Sequence, residues 1–190
     1  HVARALAQEA AFLTMQRPTD TKRCTPLFQR ARALFSPADD PKLASFVDFI
    51  EGSAAQFRWD FSASRALLER AESTCSEHCP DQPWLLTNAR MALGSVWFNM
   101  GEQAKLSTMT EAWIEDPHGR NDSFALPALE GLGQGFKRYL MRDAPYAARE
   151  ALAEAMAPWP REPFSCAQFG EVFGAVNTEL YRGGDGAKRW

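Results

Sequence analysis

The segment Ile50 to Ser73, IEGSAAQFRWDFSASRALLERAES, and the segment Leu93 to Asp116, LGSVWFNMGEQAKLSTMTEAWIED, repeat one pattern of small, aromatic and turn residues. In the first, Gly52 is followed by Phe61 and then by Leu68 and Ala71. In the second, Gly94 is followed by Trp97, by Gly101 at a turn and by Trp113. Helical hairpins stacked side by side recur in this way, because each buries a face that it could not bury alone. The pattern decides the fold class and carries no chemistry of its own.

Working outward, composition agrees. Ala occurs 30 times while Val and Ile together occur 7 times, the reverse of what the pleated surface of a sheet favours. No strand is expected. The 3.6-residue period gives about nine helices, over residues 1–16, 22–36, 41–57, 61–77, 83–100, 102–115, 122–141, 145–157 and 164–182. Long breaks such as Ser36 to Pro41, Pro80 to Pro83, Asp116 to Gly119 and Pro158 to Pro163 alternate with tight turns at Arg58 to Asp60, Gly101, Arg142 to Ala144 and Gly183 to Gly186. That alternation suits antiparallel helix pairs loosely joined to one another. Asp40 is placed to cap the third helix, with Pro41 in its first turn. The expectation is an all-α superhelix, a solenoid of stacked antiparallel pairs forming one domain over residues 1–190. The ends read as a slice of a longer solenoid: His1 opens directly into helical pattern, and Asp185 to Trp190 is a turn followed by the start of another helix.

With 21 Lys and Arg against 24 Asp and Glu, the net charge of -3 gathers neither nucleic acid nor anionic membrane. No apolar stretch approaches the roughly 20 residues that span a bilayer, and no signal peptide starts at His1. Cys24, Cys75, Cys79 and Cys166 are too scattered for a disulfide scaffold, which favours a reducing compartment, the cytoplasm.

The residues resemble tetratricopeptide repeats. With Gly52 on the family's small residue of the first helix, Phe61 falls on its turn aromatic, Ser64 on its second small position, Leu68 on its large apolar position and Ala71 on its last small one. Gly94 aligned likewise gives Trp97 and the turn residue Gly101, while Leu106 and Trp113 fall where the family has small residues. Gly52 and Gly94 stand 42 residues apart against a family period of 34, so helices or linkers are lengthened. Weaker echoes lie at Tyr146 to Leu152 and at Gly170 to Gly186. The opening His1 to Ala11, the block Asn88 to Gly94 with Trp97 and Phe98, and Glu179 to Gly186 also resemble the helical region that follows the catalytic domain in large bacterial Hanks-type serine/threonine kinases. That resemblance implies a signalling parent chain in which this segment is a scaffold or sensor. The segment itself has no Gly-rich loop after a strand, no His-Arg-Asp loop and no Asp-Phe-Gly, so no enzyme activity is expected of it.

Candidate chemistry is sparse. Gly131 to Gly135 lacks the spacing and the Lys-Ser or Lys-Thr of a phosphate loop, and close helix packing explains it better. Cys75, His78 and Cys79 form the one cluster of soft ligands, short of the four that structural zinc takes, and read as a buried or fraying helix end, with a redox-active pair as the lesser reading. No Gly-x-Ser-x-Gly elbow and no base beside a nucleophile are present. No catalytic residue, metal or cofactor is expected. Among the aromatics, Phe12, Phe28, Phe46, Phe49, Phe57, Trp97 and Phe136 recur at helical spacing and are expected in the core.

In tetratricopeptide repeats the first helix of each pair lines a concave peptide groove. The resemblance carries that role to Phe46, Phe49, Ser53 and Gln56 and to Asn88, Met91, Ser95, Phe98 and Asn99, with Asn88 and Asn99 gripping peptide backbone and Met91 and Phe98 forming an apolar floor. The implied function is a protein-protein interaction module, its partner a protein, a peptide or another domain of its own chain. Two alternatives stand beside it: a small-ligand sensor regulating a kinase or ATPase, which needs an enclosed apolar pocket, and a structural spacer with a featureless charged inner face.

Overall fold

The computed structural model describes residues 1–19, 21–116, 124–160 and 162–186, and among them it is all-α, with no strand. Two compact units divide the chain, His1–Ala89 and Arg90–Trp190. Residues 117–123 and 187–190, where part of one predicted break, His118 and the end of the chain fall, lie outside the described residues.

The first unit contains α1 (Val2–Gln16), α2 (Thr21–Arg32), α3 (Pro41–Phe57), α4 (Phe61–His78) and the start of α5 (Pro83–Asn99). On α1, Ala3, Ala7, Ala10 and Thr14 form a buried stripe one helical turn apart, small enough for neighbouring helices to approach closely. Asp40 accepts the Leu43 amide at 2.9 Å with Pro41 in the first turn of α3, and Asp60 does the same for Ala63 at 3.1 Å on α4, so both helices start where the sequence punctuates them. Between them α3 and α4 form the hairpin expected from Ile50 to Ser73. A Cβ on Gly52 would lie 2.8 Å from Leu68 Cγ. Ser64 Oγ donates to the Gly52 carbonyl at 2.8 Å and Ser45 Oγ to the Ala71 carbonyl at 2.7 Å, both buried. These bonds cross between two helices of one hairpin and fix its register.

The second unit holds the rest of α5, then α6 (Gln103–Glu115), α7 (Ala125–Pro127) running into a π-helical turn (Ala128–Leu132), α8 (Lys137–Leu140), α9 (Pro145–Met156) and α10 (Cys166–Tyr181). Gly101, at φ 77°, turns the chain from α5 to α6, and Trp97 stacks on Trp113 across that hairpin with centroids 5.3 Å apart. A capping box of Ser165 and Gln168 starts α10.

Residues 122–141, expected as one helix, are not one. The π-helical turn ends at Leu132, and the chain reverses through Gly133, Gln134 (φ 66°) and Gly135 before α8. The Gly133 and Gly135 amides reach back to the carbonyls of Ala128 at 2.7 Å and Leu129 at 2.9 Å. The run of glycines permits this: a Cβ on Gly133 or Gly135 would lie within 2.8 Å of the Leu129 carbonyl oxygen. Buried Glu130 and Arg138 then lock the reversal, with Arg138 Nη1 donating to Glu130 Oε2 at 2.7 Å and to the Gly135 carbonyl at 2.8 Å. Two further expectations fail. Phe12 is 59% exposed and Phe57 47% exposed, because Phe12 lies about 200° around α1 from Ala10 and Phe57 is the last residue of α3. Phe28, Phe46, Trp97 and Phe136 are buried as expected, and Phe49 is partly buried.

Gly94 and Gly52 stand at equivalent hairpin positions but meet different obstacles. A Cβ on Gly94 would sit 2.5 Å from the Gly133 carbonyl oxygen, which is backbone, whereas that on Gly52 would sit 2.8 Å from Cγ of the buried Leu68 side chain. Alanine gains about 1 kcal/mol over glycine in a helix, and overpacking costs about 1–3 kcal/mol. Gly52→Ala is therefore expected to destabilise by up to about 1 kcal/mol and Gly94→Ala by about 1–2 kcal/mol, each read as a lower urea midpoint at unchanged slope.

Candidate functional site

Of the groove residues that the family resemblance supplies, four polar ones spend their donors on nearby backbone. Ser53 Oγ donates to the Phe49 carbonyl at 2.8 Å, Asn88 Nδ2 to Trp84 at 2.8 Å and Asn99 Nδ2 to Ser95 at 2.7 Å, each one turn back along its own helix. Ser95 Oγ instead reaches the Leu132 carbonyl at 3.0 Å and ties α5 to the π-helical turn. Phe46 is buried, with the Arg4 guanidinium 4.7 Å from its ring centroid, and Phe49 meets Trp84 edge to face at 6.5 Å. Gln56 and Met91 are half-buried.

Phe98 has a different setting. It lines an open pocket of about 430 Å³ in the second unit, with Gln103, Lys137, Leu140, Met141, Asn177 and Tyr181. Phe98 and Gln103 belong to the α5–α6 hairpin, Lys137 and Leu140 to α8, and Asn177 and Tyr181 to the end of α10. Most of the polar groups here are committed as donors: Gln103 Nε2 to the Phe98 carbonyl, Asn177 Nδ2 to the Phe173 carbonyl and Tyr181 Oη to Asp143 Oδ1. The bond to Asp143 raises the Tyr181 phenol above its ordinary value.

Lys137 is the exception. Its Nζ lies 3.1 Å from the Phe98 ring centroid, and no carboxylate among the described residues lies within ion-pair distance of it. Burial pushes the ammonium down to about 8 from 10.5, with desolvation as the cause. The ring face favours the cation, so aromatic contact and desolvation pull this amine in opposite directions. The arrangement leaves a positive charge with no counter-ion among the described residues in a mostly apolar pocket.

A larger cavity in the first unit, about 580 Å³, is lined by Arg32, Pro41, Asp48, Arg70, Thr74 and His78 among others. Its charges are matched. Buried Asp48 accepts from Arg32 Nη2 at 2.5 Å and from Arg70 Nε and Nη2 at 2.6 and 2.8 Å, and Arg32 also holds Glu51. Two guanidiniums face two carboxylates, so the cavity has no net demand for a charged ligand; Asp48 on α3 joins α2 to α4. Cys75 and Cys79 are buried thiols that form no disulfide, with Sγ atoms 3.8 Å from the Gln82 and Thr74 carbonyls, and burial raises the Cys79 thiol. A raised thiol disfavours redox reactivity. Among the described residues no group of three or more His, Cys, Asp or Glu is arranged to hold a metal ion, and no helix is long and apolar enough to cross a membrane.

No protein-family model, no curated protein and no solved structure matches the chain. Of the residues that line this pocket, the sequence reading named Phe98 and not Lys137, because a helix running unbroken through 122–141 gives no reason to seat residue 137 over residue 98. The available signal was the glycine run, read as a reversal.

An unpaired, half-buried lysine weakens the fold at neutral pH. Below about 8 both folded and unfolded chains carry the charge and the cost is fully present; between 8 and 10.5 the folded chain loses the proton first, so stability rises with pH. Lys137→Met is therefore expected to exceed wild type in urea stability by about 0.5–1 kcal/mol at pH 7, allowing for the part of the side chain left in water. The gap should narrow as the pH is raised towards 10.

Proposed function

We propose that this chain is a protein-interaction module, the scaffold or sensor region of a larger signalling chain of the kind that bacterial serine/threonine kinases carry. Its pocket at Phe98 and Lys137 takes an apolar side chain of a partner polypeptide with an acidic group beside it. The partner is a separate protein or another domain of the same chain. Lys137 carries the reading: a cation with no counter-ion among the described residues, at the edge of an apolar surface formed by Phe98, Leu140 and Met141, is complementary to an apolar residue next to Asp or Glu. Inserting such a residue covers ring and methionine surface and supplies the missing charge in a single contact. The open mouth of the pocket favours a polypeptide over a small ligand that would need enclosing. The paired charges around Asp48 support a structural part for the first unit.

Selection of random peptides displayed on phage against the folded chain tests the reading. Enriched sequences are expected to place Leu, Phe or Trp next to Asp or Glu, and to lose about tenfold or more in affinity for Lys137→Met. Enrichment without an acidic residue, or binding untouched in Lys137→Met and Phe98→Glu, would contradict it.

A further inference from the structure

The chain has five lysines, and four fall among the described residues. Lys22 is exposed on α2. Lys42 is paired with Asp81 at 2.5 Å, which raises its ammonium. Lys105 lies 4.5 Å from the centroid of the Trp97 ring. Lys137 combines half-burial, no carboxylate neighbour and an open pocket large enough for a small molecule beside its amine.

We propose that Lys137 is a covalent acylation site, reacting with small activated acyl groups of the acyl phosphate class, and that this modification switches the docking pocket off. The neutral Nζ attacks the carbonyl carbon of the donor. A C–N bond forms, the C–O bond to phosphate breaks, phosphate leaves with the electron pair, and the proton shed by the nitrogen passes to solvent. The product is an amide with no charge.

The structure favours this lysine on two counts. An amine is a nucleophile only when neutral. A group titrating at about 8 is neutral in roughly one molecule in four at pH 7.5, against about one in a thousand for an ordinary lysine. Phe98, Leu140 and Met141 also give the acyl chain an apolar surface to rest on before reaction. The acylation itself is independent of any partner; its regulatory consequence rests on the docking role proposed above, because the amide removes the one cation that an acidic partner would meet there.

The test is incubation of the whole chain with acetyl phosphate at pH 7.5, with acetylation at each lysine followed over time by mass spectrometry of peptides. Lys137 is expected to react about tenfold faster than Lys22, its lower basicity taking back part of the gain in neutral amine. Met141→Glu, which sets a carboxylate at the pocket, is expected to bring Lys137 down to the rate of Lys22, whereas Met141→Gln, which removes the apolar rest without adding a charge, is expected to slow it much less. Equal or slower reaction of Lys137 in the folded wild type overturns the proposal, as does a rate that Met141→Glu leaves unchanged. Chain acetylated at Lys137 should then fail to bind the peptides selected on the unmodified protein. If Lys137 is fast but no peptides are selected, the acylation site stands and the docking role falls. If peptides bind equally well after acetylation, the switch is refuted while the reactive amine remains.

Discussion

Two backbone contacts at glycine govern the second unit. Gly94 of α5 lets the Gly133 carbonyl approach to where a Cβ would be, and Gly131 admits the backbone of Gly170 from α10 at distances a side chain would forbid. With helices this close, the chain leaving the π-helical turn has little room to continue straight. It reverses through Gly133 to Gly135, and the buried pair of Glu130 and Arg138 holds the reversal. Lys137, the residue before Arg138, is thereby set on the face of Phe98. A charged pocket here follows from how tightly three pieces of backbone pack.

Both units match their buried charges, and among the described residues the half-buried Lys137 departs from that pattern. In the first, Asp48 is almost fully covered, and two arginines from flanking helices satisfy it. Such a constellation contributes geometry more than net energy, since desolvation offsets much of the attraction. In the second, Arg138 and Glu130 repeat that solution, while Lys137 beside them has no such partner. Partners meet the buried charges at Asp48, at Glu130 with Arg138, and at Arg90, which is 2.6 Å from Asp116, whereas Lys137 stands at the mouth of a pocket with no carboxylate within ion-pair distance among the described residues. This contrast makes the smaller pocket the stronger binding candidate, although the Asp48 cavity is larger.

The hairpin from Ile50 to Ser73 was legible because its signals are local: Asp40 and Asp60 as caps, a tight turn at Trp59 and a glycine opposite Leu68. The burial of Phe28, Trp97 and Phe136 followed from helical period. Period alone misjudged Phe12 and Phe57, since it reports that a face is apolar and says nothing of whether a neighbour covers it. The break of residues 122–141 was harder still. Alanine, leucine and glutamate before it and lysine, arginine and leucine after it all favour helix, and Gly133 and Gly135 were open to two readings: close packing within a helix, or the end of one. Both hold, at adjacent glycines, with Gly131 packing and Gly133 to Gly135 turning. The groove assignment came from family resemblance and included Phe98, but it had no means of pairing that ring with a lysine 39 positions on.

The central claim is that Lys137 is held half out of water with no counter-ion. Direct titration of the lysine side chains tests it, by NMR of the Cε and Hε resonances in chain labelled with carbon-13 lysine, with Lys137 assigned by the spectrum of Lys137→Arg. Five lysines make the spectrum simple. One resonance, lost in that variant, is expected with a midpoint near 8, well below that of Lys42, which its pairing with Asp81 raises. A Lys137 midpoint at the ordinary lysine value of 10.5 would show that solvent, a partner or the Phe98 ring offsets the burial, and would contradict the account by removing the neutral amine on which the acylation site depends.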